Sequence, residues 1–264
     1  MSNLPTVLIT GASSGIGATY ADRFARRGHD LVLVARDAAK MNALADRLRA
    51  EADVKIEVVK ADLTENTDLA RIEARVAEDA AIGILINNAG AASEGGFTDQ
   101  TPEQTGELIA LNVTSLARLT SAIAPRFVRQ GSGSIINIGS VVGLAPEFGM
   151  SVYGATKAFV LYLSQALQGE LGPKGVYIQA VLPAATRTDI WKKSGRDADQ
   201  IPGLMEVDDL VDAALVGFDR REAVTIPPLP DHAAFESYDN ARRAMLPGFG
   251  NSQPGARYRA LERA

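Results

Sequence analysis

The run Thr6-Val-Leu-Ile-Thr10 passes without a break into Gly11-Ala12-Ser13-Ser14-Gly15-Ile16-Gly17 and then into a helical pattern. No other stretch restricts the fold so strongly. An apolar, β-branched run of this kind reads as a strand covered on both faces, and a strand that feeds through glycines into a helix opens a βαβ unit. Glycines belong at such a turn because the backbone must bend sharply and leave room for a ligand beside the main chain. The first N–H groups of the helix have no intrahelical partner, so they and the helix dipole favour an anion there, such as a pyrophosphate. The spacing is G-x-x-x-G-x-G and not the G-x-G-x-x-G fingerprint. An ordinary βα turn therefore stays open as a second reading of these residues alone.

The alternation continues along the chain. Strands are expected at 6–10, 30–35, 54–60, 82–88, 134–140, 176–182 and 223–226, and helices at 16–27, 38–51, 66–80, 102–129, 152–171 and 207–220. Asp37 and Thr101-Pro102-Glu103 are start signals for two of the helices. Apolar strands separated by helices give an α/β fold, a doubly wound parallel sheet, and one domain over residues 1–264 with neither linker nor repeat. Two regions break the rhythm. The connection at 184–206 is long enough to act as a lid over a substrate. The extension at 227–264 holds a helical pattern from Asp231 to Leu246 with Phe235, Tyr238 and Met245 roughly on one face, as in a covering or subunit-docking helix.

Composition narrows the chemistry. The chain has no Cys and two His, His29 and His232, so thiolate chemistry, disulfides and an ordinary imidazole metal site are excluded. A net charge of −5 without a local basic patch argues against nucleic acid or an anionic membrane surface as the partner. The N-terminus lacks a charged segment ahead of an apolar run, and no stretch approaches the about 18 apolar residues of a spanning helix, so a soluble cytoplasmic protein is expected.

The second strand ends at Ala35-Arg36. An acid at this point of a dinucleotide-binding fold takes the ribose 2′-hydroxyl of NAD, whereas an arginine accommodates a 2′-phosphate. Ala35 removes the acid, and Arg36 is able to pair bidentately with a phosphate. NADP(H) is therefore the expected cofactor and NAD(H) the weaker alternative. Arg36 as a solvated charge and Asp37 as a ribose contact stay open, although Asp37 also stands where a helix N-cap belongs.

Tyr153-Gly-Ala-Thr-Lys157 places a phenol and an ammonium one helical turn apart on one face. A free phenol titrates at about 10 and is a poor base at neutral pH, but a nearby ammonium favours its phenolate. Ser140 closes the fifth strand, and ligands in open α/β sheets bind at the carboxyl ends of strands, so Ser140 and the glycine turn are expected to face one crevice. Asn112 falls inside the expected fourth helix, where by itself it reads as a tolerated polar residue.

Together TGASSGIG (10–17), NNAG (87–90), Asn112, Ser140 and YGATK (153–157) resemble the short-chain dehydrogenase/reductase superfamily over roughly residues 5–190. The resemblance implies a Rossmann-type fold with seven parallel strands, a homodimer or homotetramer paired through the helices at 102–129 and 152–171, and a tetrad of Asn112, Ser140, Tyr153 and Lys157. Tyr153 would be the general acid/base and Ser140 would position the substrate oxygen. Lys157 would lower the Tyr153 pKa and hold the nicotinamide ribose, and Asn112 would anchor a water in a proton relay. Cofactor contacts are implied at Gly11, Ser13, Ser14, Gly15, Ile16, Gly17, Asn88, Ala89, Gly90, Pro183 and Thr188, and at the adenine ring for Asp62 and Leu63. The chain departs from the family at Pro183-Ala184, where Pro-Gly is usual. The Ala184 methyl restricts the backbone torsions where the main chain passes the nicotinamide.

The implied reaction is hydride transfer between nicotinamide and a carbonyl or alcohol carbon of a small organic substrate. A non-catalytic NADP-binding regulator, and a related reaction such as imine reduction or hydroxy-acid oxidation, are the alternatives. Val142, Ala184 and Trp191 are candidate substrate neighbours. Trp191 reads equally as an anchor for the lid, and Lys192-Lys193 beside it as a solvated pair.

Overall fold

The computed structural model describes residues 4–92, 95–188, 201 and 203–258. The chain divides into two units, Met1–Pro228 and Leu229–Ala264. In the first unit, β1 (Thr6–Thr10), β2 (Leu31–Ala35), β3 (Ile56–Lys60), β4 (Ile82–Asn87), β5 (Gly133–Ile138), β6 (Val176–Val181) and β7 (Val224–Thr225) form one sheet in the order β3-β2-β1-β4-β5-β6-β7. Every neighbouring pair is parallel. The helices are α1 (Gly15–Arg26), α2 (Ala38–Glu51), α3 (Asn66–Glu78), α4 (Pro102–Ile109), α5 (Leu116–Gln130), α6 (Ser151–Leu171) and α7 (Val207–Asp219).

The doubly wound α/β fold expected from the alternation is what forms, with the seven parallel strands of the Rossmann type that the resemblance implies. The central strands are apolar on both faces because each face of the sheet carries a core, whereas the edge strand β3 exposes Glu57 and Lys60. On one side Ile9, Leu33 and Ile86 pack with Phe24 of α1, Met41 of α2 and Leu210 of α7. On the other, Leu8, Leu85 and Ile135 pack with Ile72 of α3 and Leu119, Ile123 and Phe127 of α5. The order reverses between β1 and β4, so their carboxyl ends, Thr10 and Asn87, flank the crevice where ligands bind in open α/β sheets.

The expected single helix over 102–129 differs. Thr101 caps α4 reciprocally, accepting from Gln104 N at 3.2 Å while Gln104 Oε1 accepts from Thr101 N at 2.9 Å. Between α4 and α5 the chain runs as a π-helix, Ala110–Ser115, which holds Asn112. A π-turn widens the helix and turns a side chain out of its α-helical direction.

Pro102–Gln130 also corrects the expectation about apolar stretches. By length and composition alone it suffices to cross a membrane, with a mean hydropathy of 1.3 over an 18-residue window. Its apolar side is that of a sheet-packed helix, and it carries Pro125, Arg118 paired with Glu73, and a buried Arg126.

The second unit contains α8 (Ala233–Ala244). Phe235 and Tyr238 stack with centroids 6.0 Å apart, and Arg242 and Arg243 both pair with Asp239. Phe235 is buried, while Tyr238 and Met245 are about half exposed.

Candidate active site

The glycine turn has the shape its sequence implies. Gly11 and Gly15 have φ of 66° and 54°, the left-handed region that side chains avoid. A Cβ on Gly17 would overlap Gly11 O and sit 2.5 Å from Asn88 Nδ2, and one on Gly11 would lie 2.8 Å from Ala89 Cα. The turn is therefore pressed against the loop after β4. Thr10 ties the two together: its hydroxyl accepts from Asn88 N and Ala89 N, both at 3.0 Å, while Asn88 Nδ2 donates to Thr10 O at 2.9 Å and Gly11 O at 3.1 Å. Ser14 is the N-cap of α1 but makes no side-chain cap. With Ser13, Ser14 and Ile16 around it, the first turn of α1 offers N–H groups to an anion, so the residues present fit a dinucleotide pyrophosphate.

Arg36 follows β2 with its side chain 71% exposed and Nη1 3.6 Å from Asp62 Oδ2. Asp37 caps α2 by accepting from Lys40 N at 3.0 Å, so its carboxylate is engaged in the helix start. Burial pushes the Asp62 carboxyl up, but hydrogen bonds from Thr64 and the Arg36 charge outweigh it and hold the carboxyl below its ordinary range. Leu63 lies in the core beneath α3, so its side chain is committed to packing.

The four residues of the implied tetrad converge at the carboxyl edge. Gly139 and Ser140 lie just past β5, and Ser140 Oγ donates to Pro183 O at 3.3 Å and accepts from Val142 N at 3.3 Å. Tyr153 and Lys157 rise from the first turns of α6. Gly143 lets the intervening loop lie against them: a Cβ there would come within 2.7 Å of the Lys157 carbonyl carbon and Ala158 N. Asn112, 2% exposed, donates from Nδ2 to Ala91 O at 2.9 Å and to Thr156 Oγ1 at 3.1 Å, and its Oδ1 accepts from Ala91 N at 2.9 Å. Gly90 lies between these groups, since a Cβ on it would be 3.2 Å from Asn112 Oδ1 and 3.5 Å from Lys157 Nζ.

The electrostatics differ from the implied arrangement. Burial pushes the Tyr153 phenol above its ordinary range, and a hydrogen bond with Ser140 offsets part of the rise. Lys157 Nζ stands 5.7 Å from the Tyr153 ring centroid and donates to Ile138 O at 2.9 Å. It does not lower the phenol in this arrangement, and burial pulls its own pKa from 10.5 to about 8. Desolvation disfavours charge on both groups, which keeps the phenol protonated at neutral pH.

Ala184 follows Pro183 with an ordinary torsion, because Arg221 is the sole described non-glycine residue with positive φ. The position therefore does not require glycine. Thr188 stands against the glycine turn, its Cγ2 3.3 Å from where a Gly15 Cβ would be. Trp191, Lys192, Lys193 and most of the expected lid lie outside the described residues. Thr10 and Thr156 are polar links that sequence reasoning gives no role. Their signal is slight, a threonine at a strand end and another inside YGATK. Among the described residues no three His, Cys, Asp or Glu side chains are grouped to hold a metal.

The sheet order, the glycine turn and the crevice beside it define a dinucleotide-binding α/β protein of the Rossmann class. Within that class the chain belongs to the short-chain dehydrogenase family, whose model matches residues 5–199. A short-chain dehydrogenase from Sphingobium yanoikuyae, solved in complex with NADPH, is 64% identical with a TM-score of 0.95, covering 97% of this chain and 100% of that one. The bulky-bulky ketone specific alcohol dehydrogenase from Comamonas testosteroni is 56% identical with a TM-score of 0.91, covering 97% and 99%. The very-long-chain 3-oxoacyl-CoA reductase-A of Danio rerio is 34% identical over 189 residues, which are 70% of this chain and 59% of that protein. The match thus spans less than two thirds of that curated relative.

Proposed function

We propose that this chain is an NADP(H)-dependent oxidoreductase acting on a carbonyl or alcohol carbon, with Tyr153 as the general acid/base. The observation that carries the reading is the meeting of Tyr153, Ser140, Lys157 and Asn112 beside Gly90 and the glycine turn, at the reversal point of the sheet. Gly11, Gly15, Gly17 and the first turn of α1 would hold the pyrophosphate, Arg36 the 2′-phosphate, and Lys157 the nicotinamide ribose, with Asn88, Ala89, Pro183 and Thr188 along the cleft. When bound, the nicotinamide supplies or accepts the hydride.

The residues of the chain handle the proton. Ser140 orients the substrate oxygen by hydrogen bonding. Tyr153, kept protonated by its desolvated setting, donates to the oxygen as the carbonyl is reduced and takes the proton back in the reverse direction. The apolar residues Val141, Val142 and Leu144 after Ser140 suit a hydrophobic substrate. The ketone named for the Comamonas testosteroni enzyme makes ketones with bulky groups on both sides the first substrates to test.

Residues 1–264 act as one catalytic domain with a lid at 184–206 and a C-terminal extension at 227–264, in a cytoplasmic homodimer or homotetramer. Its pairing surface is α5 and α6, where Phe159 and Tyr162 are exposed and a groove of about 360 Å³ is lined by Ala124, Pro125, Val128, Leu163 and Leu167. The test of the activity is Tyr153→Phe. Turnover of NADPH with a ketone panel should fall at least about 100-fold, the usual weight of a positioned acid, while NADPH still binds. A fully active variant would remove Tyr153 from the mechanism.

A further inference from the structure

We propose that Thr156 is a positioning residue for this reaction, its hydroxyl fastening the Asn112 amide to the turn of α6 that carries Tyr153. The inference rests on the reading of Tyr153 as the acid. Thr156 is buried, donates to Tyr153 O at 2.7 Å and accepts from Asn112 Nδ2 at 3.1 Å. A hydroxyl has one proton, so donation to the Tyr153 carbonyl leaves the Thr156 oxygen as an acceptor only. An amide nitrogen, not an amide oxygen, must then face it.

Asn112 meets that requirement with nothing left over on its nitrogen. One N–H goes to Thr156, the other to Ala91 O at 2.9 Å, and Oδ1 takes Ala91 N at 2.9 Å. The links run from the loop after β4, through the π-helical turn, to α6. They join three elements far apart in sequence at the point where Tyr153 and Lys157 emerge. The π-turn is what brings Asn112 into this line, and Gly90, 3.2 Å from Asn112 Oδ1 by its virtual Cβ, leaves space for it.

Both amide donors of Asn112 being engaged, its side chain acts here as a brace between Ala91 and α6. Removing the Thr156 hydroxyl strands a buried N–H, which costs more than the bond itself contributes, so the amide must shift to find another partner. Proton transfer is sensitive to such shifts, since displacements of about 1 Å in a supporting group cost up to about 100-fold in rate.

The test compares Thr156→Val, Thr156→Ala and Thr156→Ser in the full chain, with Tyr153→Phe and Asn112→Ala as references. Valine keeps the shape and loses the hydroxyl; serine keeps the hydroxyl. Thr156→Val should lower kcat for ketone reduction about tenfold and displace the pH profile of kcat. The NADPH dissociation constant, read by fluorescence titration, should stay within about twofold, because no cofactor contact is removed. Thr156→Ser should restore both kcat and the profile, and Thr156→Val should add no further loss to Asn112→Ala. The proposal is overturned by a Thr156→Val enzyme with the parent kcat and profile, by a serine variant as impaired as the valine one, or by additive losses with Asn112→Ala. Should Thr156→Val not fold by circular dichroism, Thr156→Ala carries the same comparison against serine. An inactive Tyr153→Phe beside an unimpaired Thr156→Val sinks the brace alone, whereas an active Tyr153→Phe sinks the underlying reading of the site.

Discussion

Lys157 is 6% exposed, and a buried ammonium must leave a mark on stability. Its pKa falls from 10.5 to about 8 on folding. Between those values the unfolded chain binds the proton and the folded chain does not, so stability rises with pH across that window. Below about pH 8 the fold carries the full cost of the buried charge. The pH-dependent gain in Tm between about 8 and 10.5 should therefore be smaller in Lys157→Met than in the parent. Parallel curves for the two proteins would show that the amine is not desolvated. Arg36 supports a different prediction. Its exposed guanidinium is screened by water, so loss of a phosphate pair there is worth about tenfold, less than in a dry site. Arg36→Ala should raise KM for NADPH by that factor and leave KM for NADH unchanged; equal effects on both would refute the 2′-phosphate role.

Gly17 shows how much of the site was readable at this scale. Its place in G-x-x-x-G-x-G was plain in the sequence, and its reason is a clash that only the fold reveals, between a Cβ and the Gly11 carbonyl and Asn88 amide. Ala is the better helix former by about 1 kcal/mol, but overpacking costs about 1–3 kcal/mol, and the obstacle here is backbone. Gly17→Ala should lower Tm and abolish NADPH binding together. The pKa of Tyr153 was not readable. The i, i+4 spacing to Lys157 predicts a lowered phenol, but spacing does not specify desolvation or that the ammonium is directed at Ile138 O.

Elements were legible to the extent that their pattern is local. The strands and most helices fall where β-branched runs and helical periods put them, because the central strands are covered on both faces by the helices they alternate with, while the edge strand β3 exposes Glu57 and Lys60. The fourth helical stretch was legible in extent and not in form. Its apolar period continues through Asn112, yet the backbone widens into a π-turn, with Ser115 Oγ donating to Leu111 O at 2.6 Å. Periodicity reports which residues face the core and is insensitive to one widened turn. Arg126 on α5 is a further tertiary feature. It is buried and donates to Val76 O at 3.0 Å and Ile82 O at 2.8 Å, closing the end of α3 against the start of β4. Arg126→Met keeps the stem and leaves two carbonyls without their donor, at about 1–3 kcal/mol for each carbonyl that finds no water. Chemical denaturation should show a loss in this range with turnover by the folded protein intact. An unchanged midpoint would mean that water replaces the guanidinium.

For the molecule as a whole, the sequence by itself determined the sheet, the class of ligand and the identity of the groups available for chemistry. Zero Cys and two His left hydroxyl, phenol, amide and ammonium groups, and a glycine turn after a strand, read with Arg36 and the YGATK motif, pointed to a dinucleotide. Those are properties of composition and of neighbours along the chain. Tertiary structure decided what the groups do to one another. It joined Asn112 to Thr156, set Gly90 beside Lys157, gave Asp37 to a helix cap and paired the exposed Arg36 with Asp62. Hydrogen-bond partners and desolvation depend on which residues distant in sequence become adjacent, and the strand order that makes them adjacent comes from packing two cores on one twisted sheet, not from any single segment.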